Sequence, residues 1–186
     1  MTETLAASRR TAAAQIRAYR PSDHDFCRRL WAELASEHQE RYGRPFRADE
    51  DPGAAFEEHL TRLDLTGMWV ADDARAGVVG LVGLILSDHG GEVEPVVVTR
   101  ERRGEGIGRD LLAYVAEQAR RRGLGRLTIA PMARNVDAIH CLHAAGYDAL
   151  ARITLSIDLT TRPGAASVAA DDGDEGIGLH GLTFHY

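Results

Sequence analysis

The stretch TRERRGEGIGRDLL places Gly104, Gly106 and Gly108 between a β-branched run and an apolar-periodic one. Glycines there let the backbone approach a ligand closely, and the first amides of a following helix have no partner inside it. Such a turn can hold anionic oxygens, a pyrophosphate in particular, through main-chain hydrogen bonds and the positive end of the helix dipole. Arg100, Arg102, Arg103 and Arg109 surround it with positive charge. Two other phosphate loops do not fit. Counting from Gly104, a dinucleotide fingerprint needs a third glycine where Arg109 stands, and the chain has no Gly-Lys-Ser/Thr tripeptide. The glycines also suit a plain tight turn from strand to helix, which requires no ligand. Just upstream, Glu92 and Glu94 are two apart in EVEPVVVT, so an uninterrupted strand puts both carboxylates on the face of Val96 and Val98.

These residues need elements to position them. Gln15 to Tyr19 start a strand, and PSDHDF supplies a proline turn with capping chemistry ahead of Phe26, Leu30 and Leu34, whose spacing is helical. Residues 22 to 42 therefore read as one helix region and 51 to 63 as a second, with GRPFRADEDPG as the break. MWVADD and VVGLVGLILSD form a hairpin about a polar turn at Ala74 to Gly77, and the wholly apolar stretch implies burial on both faces. EVEPVVVT follows as a strand in which Pro95 donates no hydrogen bond, tolerable where pairing is already irregular but awkward in a central strand. Ile107, Leu111, Leu112, Val115, Ala116 and Ala119 share one face of a helix over 106 to 122, with Arg120, Arg121 and Arg122 in its last turn and Gly123 as the stop. RLTIA is a strand, Asn135 to Ala145 a helix ended by Gly146, and LARITLSIDL a long final strand. The order βααβββαβαβ belongs to the α/β class.

Composition bounds the answer. A chain of 186 residues with 44% apolar content supports one domain with a real core. Net charge is −6 and the basic residues form no long run, which argues against a nucleic-acid partner. Cys27 and Cys141 make no Cys-x-x-Cys pair and no zinc-like spacing with histidine, so no metal is expected and a reducing cytoplasm is the default. No apolar run approaches the ~20 residues of a membrane helix. Residues 1–14 read as a disordered leader and 15–161 as the domain. Residues 162–176 read as a flexible acidic linker, and 177–186 as a strand returning to the sheet.

The segment Arg103-x-x-Gly106-x-Gly108 resembles the Arg/Gln-x-x-Gly-x-Gly/Ala signature of the GNAT superfamily of N-acetyltransferases. Its neighbours match as well. Val98 stands five residues earlier, Leu111 and Leu112 follow, and Asn135-x-x-Ala138 with Ala145-Gly146-Tyr147 resembles the family's second helix and its Gly-aromatic end. The resemblance implies a mixed, mostly antiparallel twisted sheet of roughly six to seven strands with about four helices. Two parallel strands, one ending at Val98 and one at 126 to 130, would splay to admit coenzyme A, with acetyl-CoA as cosubstrate. Main-chain groups of Val96, Val97 and Val98 would bond the pantetheine amides and the acetyl carbonyl, the Val98 amide serving as oxyanion donor. Arg103, Gly104, Glu105, Gly106, Ile107, Gly108 and Arg109 would hold the pyrophosphate. Asn135 would bond the pantetheine or phosphate side, or act as a plain helix cap. A homodimer is also implied.

Acetyl transfer to an amine needs a neutral nitrogen, yet an alkylamine of pKa ~10.4 is almost wholly protonated at neutral pH, so a base is required. Glu92, six residues before Val98, resembles the base position of histone-type members, and Glu94 lies nearer the reaction centre; each also reads as a solvated strand carboxylate. Where the family usually has a tyrosine acid this chain has Leu142, which would line the coenzyme instead. His140, Cys141 or His143 could replace the acid only if turned toward the thiol. Trp31, His38, Arg41, Tyr42 and Trp69 are the conspicuous candidates for contacting an acceptor, and each also reads as core or surface. The activity expected is direct transfer to a primary amine of a small molecule or protein in a ternary complex. Leu142 also admits a catalytically silent acyl-CoA-binding or regulatory module, and the glycine turn alone admits a nucleotide binder.

Overall fold

A computed structural model describes residues 14–42, 51–62, 65–87, 90–154, 177–179 and 181–184. The chain divides into two compact units, residues 1–129 and residues 130–186.

In the first unit the elements follow the sequence closely. Strand β1 (Gln15–Ala18) leads through a 3-10 turn at Pro21–Asp23 into helix α1 (His24–Tyr42), and α2 (Ala55–Arg62) follows. Then come β2 (Met68–Asp73), β3 (Gly77–Ser87), β4 (Gly90–Val98), α3 (Ile107–Arg121) and β5 (Leu127–Thr128). The strands form one sheet in the order β1-β2-β3-β4-β5, antiparallel except for the parallel pair β4 and β5.

The unbroken apolar run of β3 reflects its place in the middle of this sheet, where both faces are covered. On one face Leu81 and Val97 pack with Met68 and Val70 against Cys27 and Leu30 of α1 and Phe56 of α2. Trp31, Leu34, Leu60 and Ile85 border this cluster. The face of α1 that enters it is thus Cys27, Leu30, Trp31 and Leu34; Phe26, which shares the helical spacing of Leu30 and Leu34, is 37% exposed and lies under the Arg29 guanidinium. A helical stripe admits either neighbour at its edge, and the smaller Cys27 is the one that fits against the sheet.

On the opposite face α3 buries Ile107, Leu111, Leu112, Val115 and Ala119. Gly80 lets it approach: a Cβ there would stand 3.0 Å from Leu111 Cδ1. The helix ends as its sequence demands, with Gly123 at φ 77° and the Leu124 amide donating back to the Ala119 carbonyl.

In the second unit, α4 (Val136–Ala144) is capped by Asn135, whose Oδ1 accepts from the Ala138 amide at 3.3 Å. Gly146 at φ 92° closes it, with the Tyr147 amide donating to the Leu142 carbonyl at 3.1 Å. Residues 150–154 of the expected final strand carry no regular structure, and the rest of that strand lies outside the described residues. The tail was expected to return to the main sheet. Its strands pair with each other instead, β6 (Ile177–Leu179) with β7 (Leu182–Phe184), as a separate two-stranded sheet. The leader, apart from residue 14, and the acidic linker lie outside the described residues.

Candidate functional site

Strand β4 is hydrogen-bonded to β3 along its length, but its parallel contact with β5 is confined to Gly91 with Leu127 and Glu92 with Thr128. β5, expected over 126 to 130, ends at Thr128, so beyond Glu92 the parallel pairing stops. From Val93 to Val98, the outer edge of β4 has no strand partner among the described residues. The Thr99 amide donates to the Val79 carbonyl at 2.9 Å, so ladder alternation turns Val97 toward β3 and leaves the Val96 and Val98 amides on the open edge. This is the divergence expected of the two parallel strands.

Pro95 is accommodated at a β-bulge. Val82 pairs with Val96 and Leu84 with Val93, so Glu94 and Pro95 together oppose Gly83 alone. A Cβ at Gly83 would collide with the Glu94 carbonyl oxygen, which explains the glycine. The bulge also corrects an expectation about faces. Residues 82 and 84 share a face of β3, so Val93 and Val96 share one on β4, and alternation slips by one residue. Glu92, opposite Ile85, falls on the face covered by α1 and α2. Glu94 points to that face as well, toward α2: its carboxylate lies 3.4 Å from the Arg62 guanidinium and 3.8 Å from His59 Nδ1. Val96 and Val98 belong to the other face, where Val98 Cγ2 would be the nearest atom to a Cβ on Gly108.

After Val98 the chain makes a 3-10 turn at Arg100–Arg102 and reaches α3 through Gly104 at φ 77° and Gly106 at φ 90°. Left-handed backbone costs other residues about 1–2 kcal/mol, so glycine is required at both. A Cβ at either would meet nothing within 4 Å, so this side of the turn is unobstructed. The N-cap Gly106 has no side chain with which to cap α3. The first amides of a helix have no partner inside it, which suits an anion at this end. Glu105 is exposed, Ile107 is buried in the core, and Arg109 is exposed with no ion pair among the described residues.

The other arginines are already engaged. Arg102 bridges Asp73 at 3.0 Å and Glu105 at 2.8 Å. The amides of Ala76 and Arg75, and then Arg102, hold the Asp73 carboxyl down at about 2. Arg103 reaches Glu37 at 2.7 Å and donates from Nε to the Val98 carbonyl at 2.9 Å. Arg100 pairs with Glu37 at 3.3 Å, and its amide donates to Glu33 at 3.1 Å. Glu37, Glu40, Arg41, Arg100 and Arg103 line a cleft of about 290 Å³. The sequence reading missed these carboxylates, although Glu33, Glu37 and Glu40 recur at helical spacing on α1.

It also missed His59. This side chain is 2% exposed, and its Nε2 lies 3.0 Å from the Glu94 carbonyl. Burial, reinforced by Arg62, lowers its pKa against the opposing pull of Glu94, which favours the neutral ring. Trp31 packs over it with ring centroids 4.6 Å apart. Trp69, another candidate acceptor contact, is core, set against Tyr114 and beneath Arg122. His38 is half-buried, and that burial lowers its pKa. The side chain of Tyr42 lies outside the described residues.

In the second unit Leu142 is buried while His140 and Cys141 are exposed. The Tyr147 hydroxyl is buried without a hydrogen bond among the described residues, and burial raises its pKa. Among the described residues no cluster of His, Cys, Asp and Glu is arranged for a metal ion, and no helix is long and apolar enough to cross a membrane.

The sequence model of the acetyltransferase (GNAT) family matches residues 27–147. No curated protein matches the chain in sequence. Among solved structures, an acetyltransferase of the GNAT family from Staphylococcus aureus Mu50 superposes with a TM-score of 0.57 at 20% identity, covering 72% of this chain and 84% of that one. A variant of the BH1408 protein from Bacillus halodurans gives 0.62 at 19% identity over 78% and 99% of the two chains. An acetyltransferase from Trypanosoma brucei gives 0.52 at 19% identity over 78% and 99%. At these identities the structural matches establish the fold alone.

Proposed function

Because the chain belongs to the acetyltransferase (GNAT) family, whose acyl donor is acetyl-CoA, we propose that it transfers an acetyl group to a primary amine of a small molecule or protein by direct attack in a ternary complex. The observation that carries this reading is the two-residue contact between β4 and β5. A sheet that closed along the whole of β4 would leave no main-chain donors for a thioester arm; this one leaves those of Val96 and Val98.

The coenzyme supplies an activated thioester carbonyl. The chain's own residues do the rest. Amides of Gly104 to Arg109, with the N-terminus of α3, hold the pyrophosphate through the unobstructed glycine turn. Arg103, fixed by Glu37 and the Val98 carbonyl, sets the loop against the end of β4. The Val98 amide donates to the carbonyl oxygen as it gains charge. Glu94 takes the proton of the acceptor amine, a role its position in the bulge beside Arg62 supports over Glu92, which sits in the ladder between Ile85 and Thr128.

Calorimetric titration with acetyl-CoA, followed by coenzyme A release assays over an amine panel, tests this. Binding with turnover of at least one amine is expected. The buried Leu142, standing where the family's tyrosine acid is expected, favours one other reading, a silent acyl-CoA-binding module. Binding without turnover of any amine would establish that module in place of the enzyme. Protection by a nucleoside triphosphate but not by acetyl-CoA would defeat both.

A further inference from the structure

Glu94 has a buried neighbour whose chemistry the mechanism above leaves unused. His59 Nε2 lies 3.0 Å from the main-chain carbonyl of Glu94, at the bulge. A carbonyl only accepts, so Nε2 carries the hydrogen, and the neutral ring then presents a bare lone pair at Nδ1. That nitrogen is buried and has no hydrogen-bond partner among the described residues, yet it stands 3.8 Å from Glu94 Oε1. Two accepting atoms so placed gain nothing from each other until a proton lies between them. Trp31 of α1, packed over the ring, has no titratable proton to offer, and Arg62 acts on the ring through its positive charge. Glu94 is the group able to bring the proton.

We propose that His59 is a positioning residue for the base: its Nε2–H fixes the bulge that aims Glu94, and its Nδ1 accepts a hydrogen bond from the Glu94 carboxyl once that carboxyl has taken the proton of the amine. This rests on the reading of Glu94 as base. In the balanced step, the amine lone pair forms the C–N bond and the C–S bond breaks with its electron pair on sulfur. The amine proton passes to Glu94, where Nδ1 shares it, before it leaves to water. A side-chain rotation moving Oε1 by about 1 Å closes the gap to hydrogen-bond distance.

The test has an arm that needs no turnover. In ligand-free protein labelled with ¹⁵N-histidine, His59 is expected at neutral pH as the neutral tautomer protonated on Nε2. His59→Leu removes the accepting nitrogen together with the N–H for the Glu94 carbonyl, while the amide of His59→Gln offers a donor and an accepting oxygen in their place. His59→Leu is expected to leave acetyl-CoA affinity unchanged, to lower kcat by about tenfold or more and to alter its pH profile, and His59→Gln to recover part of that loss. In a Glu94→Gln background His59→Leu should add no further loss. The proposal is overturned by an Nδ1–H or charged His59 in the wild type, by wild-type turnover in His59→Leu, or by losses that simply multiply in the double variant. Should His59→Leu fail to fold, the tautomer decides. If the wild type binds acetyl-CoA yet acetylates nothing, acyl transfer is what fails, and this proposal falls with it.

Discussion

The carboxylate of Glu37 on α1 grips the guanidinium of Arg103 at 2.7 Å, while the same arginine donates from Nε to the Val98 carbonyl at 2.9 Å. One side chain thereby joins a helix, the end of an open-edged strand and the glycine turn. Glu37 is 8% exposed at its side chain and also meets Arg100 and Arg41, whereas Arg103 is 38% exposed.

Removing that carboxylate should therefore cost stability chiefly through lost charged hydrogen bonds, since the half-exposed arginines can rehydrate. Glu37→Gln is expected to lower unfolding free energy by about 1–3 kcal/mol in urea titrations. A loss below about 0.5 kcal/mol would mean the cluster is ordinary surface pairing.

Gly106 separates strain from ligand binding. Gly106→Ala should cost about 1–2 kcal/mol of stability from its left-handed backbone, its Cβ adding no clash with the protein, and should weaken acetyl-CoA binding less than a charged side chain does. Gly106→Asp adds a carboxylate at the uncapped start of α3 and should weaken binding more than about tenfold in calorimetry. Equal affinities for both variants would remove the turn as the phosphate cradle.

Much of this site can be read from local sequence. The left-handed turn at Gly104 and Gly106, the buried face of α3 and the stops at Gly123 and Gly146 are each set within one turn of chain, and all stand in the structure. Pro95 marked an awkward place in a central strand, but not its consequence. Whether a strand slips depends on the partner, and Gly83, the single residue opposite, belongs to another run. The arginines near the turn looked like free positive charge because their carboxylates lie far off in sequence, at Glu37 and Asp73. His59 carried no signal at all, since only the fold brings α2 over the bulge.

Asp73 should shape the acid limb of stability. Its folded pKa, about 2, is below the unfolded value because the Ala76 and Arg75 amides, and then Arg102, favour its charged form. The resulting stabilisation is full above the unfolded pKa and is lost as pH falls from about 4 toward 2. Asp73→Asn should flatten that part of the profile in denaturation measured at successive pH values; an unchanged slope would contradict the assignment.

Gly80 and Leu111 should show coupled energetics. Leu111 is fully buried, so Leu111→Ala is expected to cost about 2–5 kcal/mol. Gly80→Ala would push a methyl to 3.0 Å from Leu111 Cδ1 and 3.3 Å from the Val97 carbonyl oxygen, and should destabilise by crowding. Truncating Leu111 removes the first of those contacts, so the double variant should lose less than the sum of the single ones. Strict additivity in urea titrations would show that α3 does not press on Gly80.

The choice of base follows from how the bulge distributes the two strand glutamates. Glu92 lies in the closed part of the sheet, paired with Ile85 on one side and Thr128 on the other. Glu94 lies where the ladder is broken, and its side chain, 36% exposed, retains access to solvent beside Arg62. A base must reach an incoming amine and then release its proton, and a carboxylate at the break can do both. Glu94→Gln keeps the shape and removes the proton acceptor, so kcat should fall by about 10²–10⁴-fold with acetyl-CoA affinity unchanged, whereas Glu92→Gln should stay within a few fold of wild type. Measured over pH with one amine, the reverse ranking would move the base to Glu92, and wild-type rates for both variants would leave proton removal to water.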